Sequence, residues 1–475
     1  MKRIAIIGGG ISGLSAAITL ERARASGAPL EYRLYEAGPR LGGVLLTEYI
    51  DGCVVEGGPD SFLTEKSWGL DFVRSIGLGD QLISSNDAER KTYILVNGRL
   101  EPIPDGLMFM VPTRITPMVT SRLFSLPAKI RMAFEYFQKP QASEKDETVA
   151  ELVERHFGPE MVDRLADPLL AGVYGGDASQ LSAAAVLPRF VDMEKKYGSL
   201  SRGMLAARKQ MAAAAKSQAS PRPLFTSLKD GMRQLVRAIE PQLQPGAARV
   251  SNPVVGLTRA RSSWLVAAIQ GPPEEFDGVI LALPASAASA LLRNVAPPLS
   301  DELSQIPYSS SITVNLGYER SDLVSLPPGF GFLVPRSEGR RMLACTFVHV
   351  KFPHRAPENR GILRCFIGGA RDEAIFDLSD AELVQLVRSN LADILRLTAE
   401  PRFQRVYRWR GAMAQYTSGH LARVQRIRQC QAGIPGLYLA GNAYQGIGVP
   451  DCIASGESAA KSATEFVAAT ESRHA

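Results

Sequence analysis

The sequence predicts an α/β fold, with a Rossmann-like cofactor domain, a mixed α+β second domain and a helical subdomain. Three observations predict it. The chain opens on a short β-branched run, Ile4 to Ile7, followed at once by Gly8-x-Gly10-x-x-Gly13 and an apolar, alanine-rich stretch through Leu20. A second apolar strand, Glu31 to Tyr35, ends in Glu36, which lies 23 residues beyond Gly13. A late strand–turn–helix pattern, Gly436 to Ala460, closes the chain.

The opening run is short and apolar throughout, as a central parallel strand should be. In such a motif the first glycine permits a tight turn, the second lets backbone approach a pyrophosphate, and the third lets the helix pack on the strand. Gly8, Gly9, Gly10, Ile11, Ser12 and Gly13 are therefore candidate dinucleotide contacts. The helix start adds free N–H groups and a positive dipole end. Glu36 falls near the spacing, about 20 residues, expected of a carboxylate that binds a ribose hydroxyl. An acid there favours a free 2′-hydroxyl, hence FAD or NAD over NADP.

A length of 475 residues implies two or three domains. Hydrophobic residues make up 45% and charged residues 21%, ordinary for a soluble globular protein. The net charge of +6 is scattered rather than blocked, which argues against nucleic-acid binding. It suits an anionic substrate as well as a plain solvated surface. Cys53, Cys345, Cys365, Cys430 and Cys452 form no C-x-x-C pair. Neither a zinc site nor a redox pair is indicated, and a reducing, cytoplasmic compartment fits. The first strand starts too early for a signal peptide, and no apolar run reaches 18 residues. Peripheral contact with the inner face of a membrane stays open.

Along the chain, Ala37-Gly38-Pro39-Arg40-Leu41-Gly42-Gly43 reads as a turn in which Arg40 approaches a pyrophosphate or faces solvent. Leu45–Ile50 and the run from Cys53 flank Asp51-Gly52 and read as a hairpin; Asn97-Gly98 marks a second. Trp68 to Leu82 reads as helix. Asp105 to Thr113 is an apolar loop, either core or the lip of a substrate or membrane site. Helical signals fill Leu123 to Glu194, and residues 199–223 read as a helix followed by a mobile connection. Strands are expected at 250–255, 264–268 and 278–284, then at 311–316, 342–348 and 362–367. His349 and His354 lack metal-ligand spacing and read as surface or loop histidines. Near the end, Gly446-Ile447-Gly448 turns into a helix that begins at Val449-Pro450-Asp451.

The first glycine motif, Glu36, Arg40-x-Gly42-Gly43 and Glu56-x-Gly58-Pro59-Asp60 resemble the FAD-binding region of the flavin amine oxidase superfamily. Gly58 to Leu63, Asp167 to Asp177 and Cys345 to Glu358 are similar to the oxygen-dependent porphyrinogen oxidases of haem biosynthesis. The resemblance implies FAD as cofactor, held also by Ala37, Arg40, Gly43, Gly58, Pro59, Asp60, Ser61, Ile447, Gly448 and Val449. It implies that the backbone of Val254 meets adenine and that Trp409 lies near the flavin. Asn442 is an implied FAD contact as well, standing where many of these enzymes carry Asp, so a direct carboxylate contact is not assumed there.

The implied FAD-binding domain is discontinuous (1–62, 224–290, 420–475), with a substrate domain (63–105, 291–419) and a helical subdomain (106–223). The implied activity is the six-electron oxidation of coproporphyrinogen III to coproporphyrin III by dioxygen, with release of H2O2; protoporphyrinogen IX is the alternative substrate. No second G-x-G-x-x-G follows a strand, so electrons are expected from the organic substrate rather than NAD(P)H. The flavin carries the chemistry, so no catalytic side chain and no metal are nominated. Lys66 is the first candidate for a substrate carboxylate at the rim, ahead of Arg90, Lys91 and Arg99, each of which also reads as a plain surface charge. A homodimer and a downstream ferrochelatase are open as partners. Two other readings use a similar scaffold: an amine or carotenoid oxidase, and a GDP-dissociation-inhibitor-like binding protein without FAD.

Overall fold

A parallel sheet begins with β1 (Lys2–Ile7), whose Ile4, Ala5 and Ile6 are fully buried. In this computed structural model, which describes residues 1–108, 110–140, 145–215, 223–261 and 263–471, β1 pairs in parallel with β2 (Leu30–Tyr35) and with Gly278–Leu281. Ala248–Arg249 extends the sheet beyond β2, and Leu437–Leu439 extends it on the other side. All five strands run the same way, so their carboxyl ends share one edge. Phe109, in the apolar loop, and residues 216–222, in the expected mobile connection, lie outside the described residues.

Two helices start from that edge. α1 (Ile11–Ala25) leaves β1, and the C-terminal helix Val449–Glu471 follows the strand Leu437–Leu439. They pack closely. The Ser15 hydroxyl donates to Ile453 O at 3.1 Å, and a Cβ on Gly456 would lie 2.1 Å from Ser12 O. Only glycine permits that approach. Leu14, Ile18, Ile453 and Val467 share a core with Phe72 and Val73 of α2 (Ser67–Ser75). The sequence assigned α2's residues to the second domain; in the structure its apolar face packs on the cofactor domain.

The hairpin expected at Asp51-Gly52 forms between Thr47–Ile50 and Cys53–Glu56, with φ of 52° and 76° at its tip. Positive φ at both positions matches strand twist, which is why Asp-Gly and Asn-Gly are favoured there. The strand expected at 250–255 is broken. Ser251 takes a φ of 50°, the Asn252 N–H is used on Glu36 O, and Pro253 has none to give, so the next strand starts at Val254.

A seven-stranded mixed sheet forms the second core. Its order is Phe403–Ala414, Tyr308–Glu319, Arg360–Gly368, Met342–Phe347, Gly331–Leu333, Thr92–Val96 and Arg99–Pro102. Helix Asp380–Leu395 buries Leu383, Val387 and Leu391 in the same cluster as Ile312, Val314 and Leu363. In the helical region, Thr148 caps Val149–Phe157 through a reciprocal pair with Glu151. This capping box fixes the start of a helix within the stretch 123–194 that carries helical signals.

Candidate active site

Ligands of open parallel sheets bind at the carboxyl ends of the strands, and here that edge carries two helix N-termini. The three motif glycines are glycine for different reasons. A Cβ on Gly8, at φ 107°, would lie 2.2 Å from Ala282 O, and one on Gly13 would lie 1.9 Å from Gly8 O. Both are demanded by the protein's own packing. Gly10 has an ordinary φ of −69°, and its Cβ would meet nothing within 4 Å. Nothing in the protein requires glycine there, so its effect is to leave a space open. α1 has no side-chain cap and no acid in its first turn, so its leading N–H groups suit a phosphate. These features fit the pyrophosphate of a dinucleotide.

Glu36 points into the same loop. Its Oε2 accepts the Gly9 N–H at 2.7 Å and its Oε1 the Gly38 N–H at 2.6 Å. A carboxylate offers about four acceptor sites, so capacity remains for ribose hydroxyls. The Asn252 N–H donates to Glu36 O at 2.9 Å, which brings the segment leading to Val254 beside Glu36. Ala37 is exposed next to it. The Arg40 guanidinium donates to Gly43 O at 2.7 Å and to Leu41 O and Leu45 O at 3.2 Å. The Gly42 N–H donates to Gly9 O at 2.8 Å. Arg40 thus closes its own turn over the first glycine loop. Burial, then the nearby Arg233, lowers its pKa.

Gly58, Pro59, Asp60 and Ser61 are clamped by the seven-stranded sheet. Trp409 Nε1 donates to Gly57 O at 2.7 Å, and the Arg364 guanidinium donates to Gly58 O. A Cβ on Gly58 would lie 1.8 Å from Val44 O, so the segment admits no side chain there. Asn442 Nδ2 donates to Ala412 O at 3.0 Å, while Asn442 O accepts the Tyr416 hydroxyl at 2.8 Å. One strand, Phe403–Ala414, therefore ties both Trp409 and the Asn442 turn to the glycine segment.

Beneath this segment lies a buried charge cluster that sequence reasoning did not single out. Glu56 and Asp60 face Lys351, Arg355 and Arg364. Lys351 Nζ is 3.1 Å from Asp60 Oδ2. Arg355 Nη1 is 3.1 Å from Glu56 Oε1, though without the alignment of a hydrogen bond. Burial works against the charge of Asp60, yet Lys351, Arg364 and the Ser61 hydroxyl hold its carboxyl well below the usual range. Burial pushes the Glu56 carboxyl up, against Arg355 and the Met232 N–H. A cavity of about 10 Å³, room for one water, lies among these side chains. Glu56 and Asp60 stood in a recognised motif, but the further signal that they meet cations was an arginine inside the apolar run Ile362 to Ile367.

Lys66 is not the free rim cation expected. Its ammonium is ion-paired with Asp451, in the first turn of the C-terminal helix, beside the Ile447–Val449 turn. Arg90, Lys91 and Arg99 are exposed. Arg99 lies on the edge strand of the seven-stranded sheet opposite the one that carries Trp409. His354 is exposed as expected, but His349 is buried. The Ile362 N–H donates to its Nδ1 at 3.1 Å, and burial pushes its pKa down to about 4, so the ring is neutral. Among the described residues no group of His, Cys, Asp or Glu is arranged to hold a metal.

Comparison with known proteins identifies the family. The family model for flavin containing amine oxidoreductases matches residues 11–464. The chain is 35% identical to the coproporphyrinogen III oxidase of Bacillus subtilis, with 98% of each chain covered. It is 30% identical to the chloroplastic protoporphyrinogen oxidase 1 of Arabidopsis thaliana, over 94% of this chain and 85% of that one. A solved structure from Exiguobacterium, provisionally described as a protoporphyrinogen oxidase, superposes with a TM-score of 0.87 at 33% identity, covering 98% of this chain and 99% of the other.

Proposed function

From membership of the flavin containing amine oxidoreductases, the family to which this chain belongs, we propose that it oxidises coproporphyrinogen III to coproporphyrin III. The observation that carries the reading is the match to the Bacillus coproporphyrinogen III oxidase across 98% of both chains. Bound FAD would supply two-electron redox chemistry between the substrate and dioxygen. Three such rounds make the six-electron change and release three H2O2.

The protein's part is to bind and orient. The open space at Gly10 and the uncapped start of α1 take the pyrophosphate, and Glu36 takes ribose hydroxyls. Trp409, Arg364 and Asn315 fix the Glu56–Gly58 backbone against the second sheet, so the two domains present one rigid wall. The metal-free porphyrin product is a substrate for a metal-inserting enzyme, the class of the ferrochelatase left open above as a partner.

Anaerobic mixing of the yellow protein with coproporphyrinogen III or protoporphyrinogen IX tests this. Rapid bleaching by the first and slower bleaching by the second is the expected result. The reverse preference moves the substrate to protoporphyrinogen. Bleaching by neither sinks the porphyrinogen reading.

Peripheral contact with an anionic bilayer belongs to the same proposal. No helix among the described residues is long and apolar enough to cross a membrane. On helix Leu126–Glu135 and just beyond, however, Leu126, Ile130, Phe134 and Phe137 are 71%, 50%, 68% and 74% exposed, spaced to share one face. Residues 110–140 carry Arg114, Arg122, Lys129, Arg131 and Lys139 against one acid, Glu135, which is buried. An apolar stripe among cations suits an anionic lipid surface. Co-sedimentation with phosphatidylglycerol vesicles is expected and should be lost in Phe134→Ser/Phe137→Ser. Equal sedimentation of that variant, or none for the parent, refutes it.

A further inference from the structure

Asp451 lies in the first turn of the C-terminal helix, at the edge of the sheet where the cofactor residues gather. An acid there complements the helix's own dipole. It also opposes any negative charge that arrives from outside. Lys66 removes that opposition. Its ammonium pairs with Asp451 Oδ2, the oxygen that also accepts the Gly448 N–H at 3.1 Å. A Cβ on Gly448 would lie 3.7 Å from Lys66 Nζ, so the pair sits directly against the glycine turn.

The placement is built in. Lys66 immediately precedes α2, and α2 is keyed to the start of the C-terminal helix. Trp68 Nε1 donates to Pro450 O at 3.0 Å, and a Cβ on Gly69 would lie 2.8 Å from Pro450 Cγ. The side chains of Lys66 and Asp451 are 27% and 11% exposed, so salt screens them little. A side chain held this way is poorly disposed to reach for a substrate carboxylate.

We propose that Lys66 is a positioning residue that neutralises Asp451 and so sets the reduction potential of the bound FAD. The proposal rests on the reading that FAD occupies this edge. Reduction adds negative charge to a flavin, so an uncompensated Asp451 disfavours it and an unopposed Lys66 favours it.

The test is the midpoint potential of the bound flavin, measured by dye-coupled anaerobic reduction, with KM for the porphyrinogen measured alongside. Lys66→Met shifts the potential negative, Asp451→Asn shifts it positive, and the double variant returns towards the parent. Lys66→Arg stays near the parent, and KM is unchanged in Lys66→Met. An unmoved potential with a raised KM makes Lys66 a substrate ligand and overturns the proposal. Shifts of the same sign in both single variants do so too, because they report general disturbance. If Lys66→Met does not fold, Asp451→Asn decides alone: a positive shift supports the proposal and no shift overturns it. A parent protein that purifies without FAD fails the cofactor reading instead, and its absorbance shows this before any variant is made.

Discussion

Gly10→Val gives a folded protein that has lost its yellow colour. The two halves of that result have separate causes. Folding survives because Gly10 has an ordinary φ of −69° and its Cβ would touch no protein atom within 4 Å. The change in stability of the flavin-free protein is expected within about 1 kcal/mol. Cofactor binding fails because the new side chain fills the space that the uncapped start of α1 faces. Hydrogen bonds to charged groups contribute roughly 1.5–3 kcal/mol each, so losing two weakens FAD binding by about a hundredfold or more. Gly13→Val is the control. Its Cβ alone would lie 1.9 Å from Gly8 O, so this variant fails to fold rather than merely losing flavin. Absorbance at 450 nm and the thermal midpoint, read together, separate the two. A folded Gly10→Val with a full complement of FAD would remove the pyrophosphate from this loop.

Local rules made much of this legible in the sequence. A β-branched run followed by three spaced glycines can hardly be anything but a strand, a turn and a helix. Asp51-Gly52 and Asn97-Gly98 supply the positive φ that two-residue hairpins need, and both form as expected. What stayed hidden was pairing across the chain. Lys66 and Asp451 are 385 positions apart, and nothing near either names the other. Read alone, Lys66 is a basic residue in a suitable stretch; paired, it is the counter-charge of a half-buried acid. His349 shows the same limit, since its burial depends on the neighbouring strand around Ile362. The expected strand at 250–255 failed for a nearer reason. Its β-branched residues fit, but Pro253 interrupts the run and the Asn252 N–H serves Glu36.

Arg364→Met is expected to be the most destabilising single change in the second domain's contact with the cofactor domain. Arg364 is 5% exposed, donates to Gly58 O and shares Asp60 with Lys351. Methionine fills similar volume but leaves a buried carbonyl without that donor and a partly buried carboxylate with one cation fewer. Breaking such a pair from one side costs about 3 kcal/mol or more, most of it the cost of the charge left behind. Asp60→Asn/Arg364→Met should recover none of the loss, because it leaves the buried Lys351 without its carboxylate partner. The pH dependence has a definite sign. Asp60 is held below its usual value of 3.8, so its contribution is full above that value and is lost as pH falls through the lower folded value. Without Arg364 the folded value rises towards 3.8, which shrinks that contribution. The gap in thermal midpoint between parent and variant is thus widest above about pH 5 and narrows as the carboxyl protonates. A gap that stays constant from neutral pH down to pH 4 and below would show that Arg364 acts through the Gly58 carbonyl alone. No gap at neutral pH would show that Lys351 and the Ser61 hydroxyl suffice to hold Asp60, and the clamp on the glycine segment would then rest on Trp409 and Asn315.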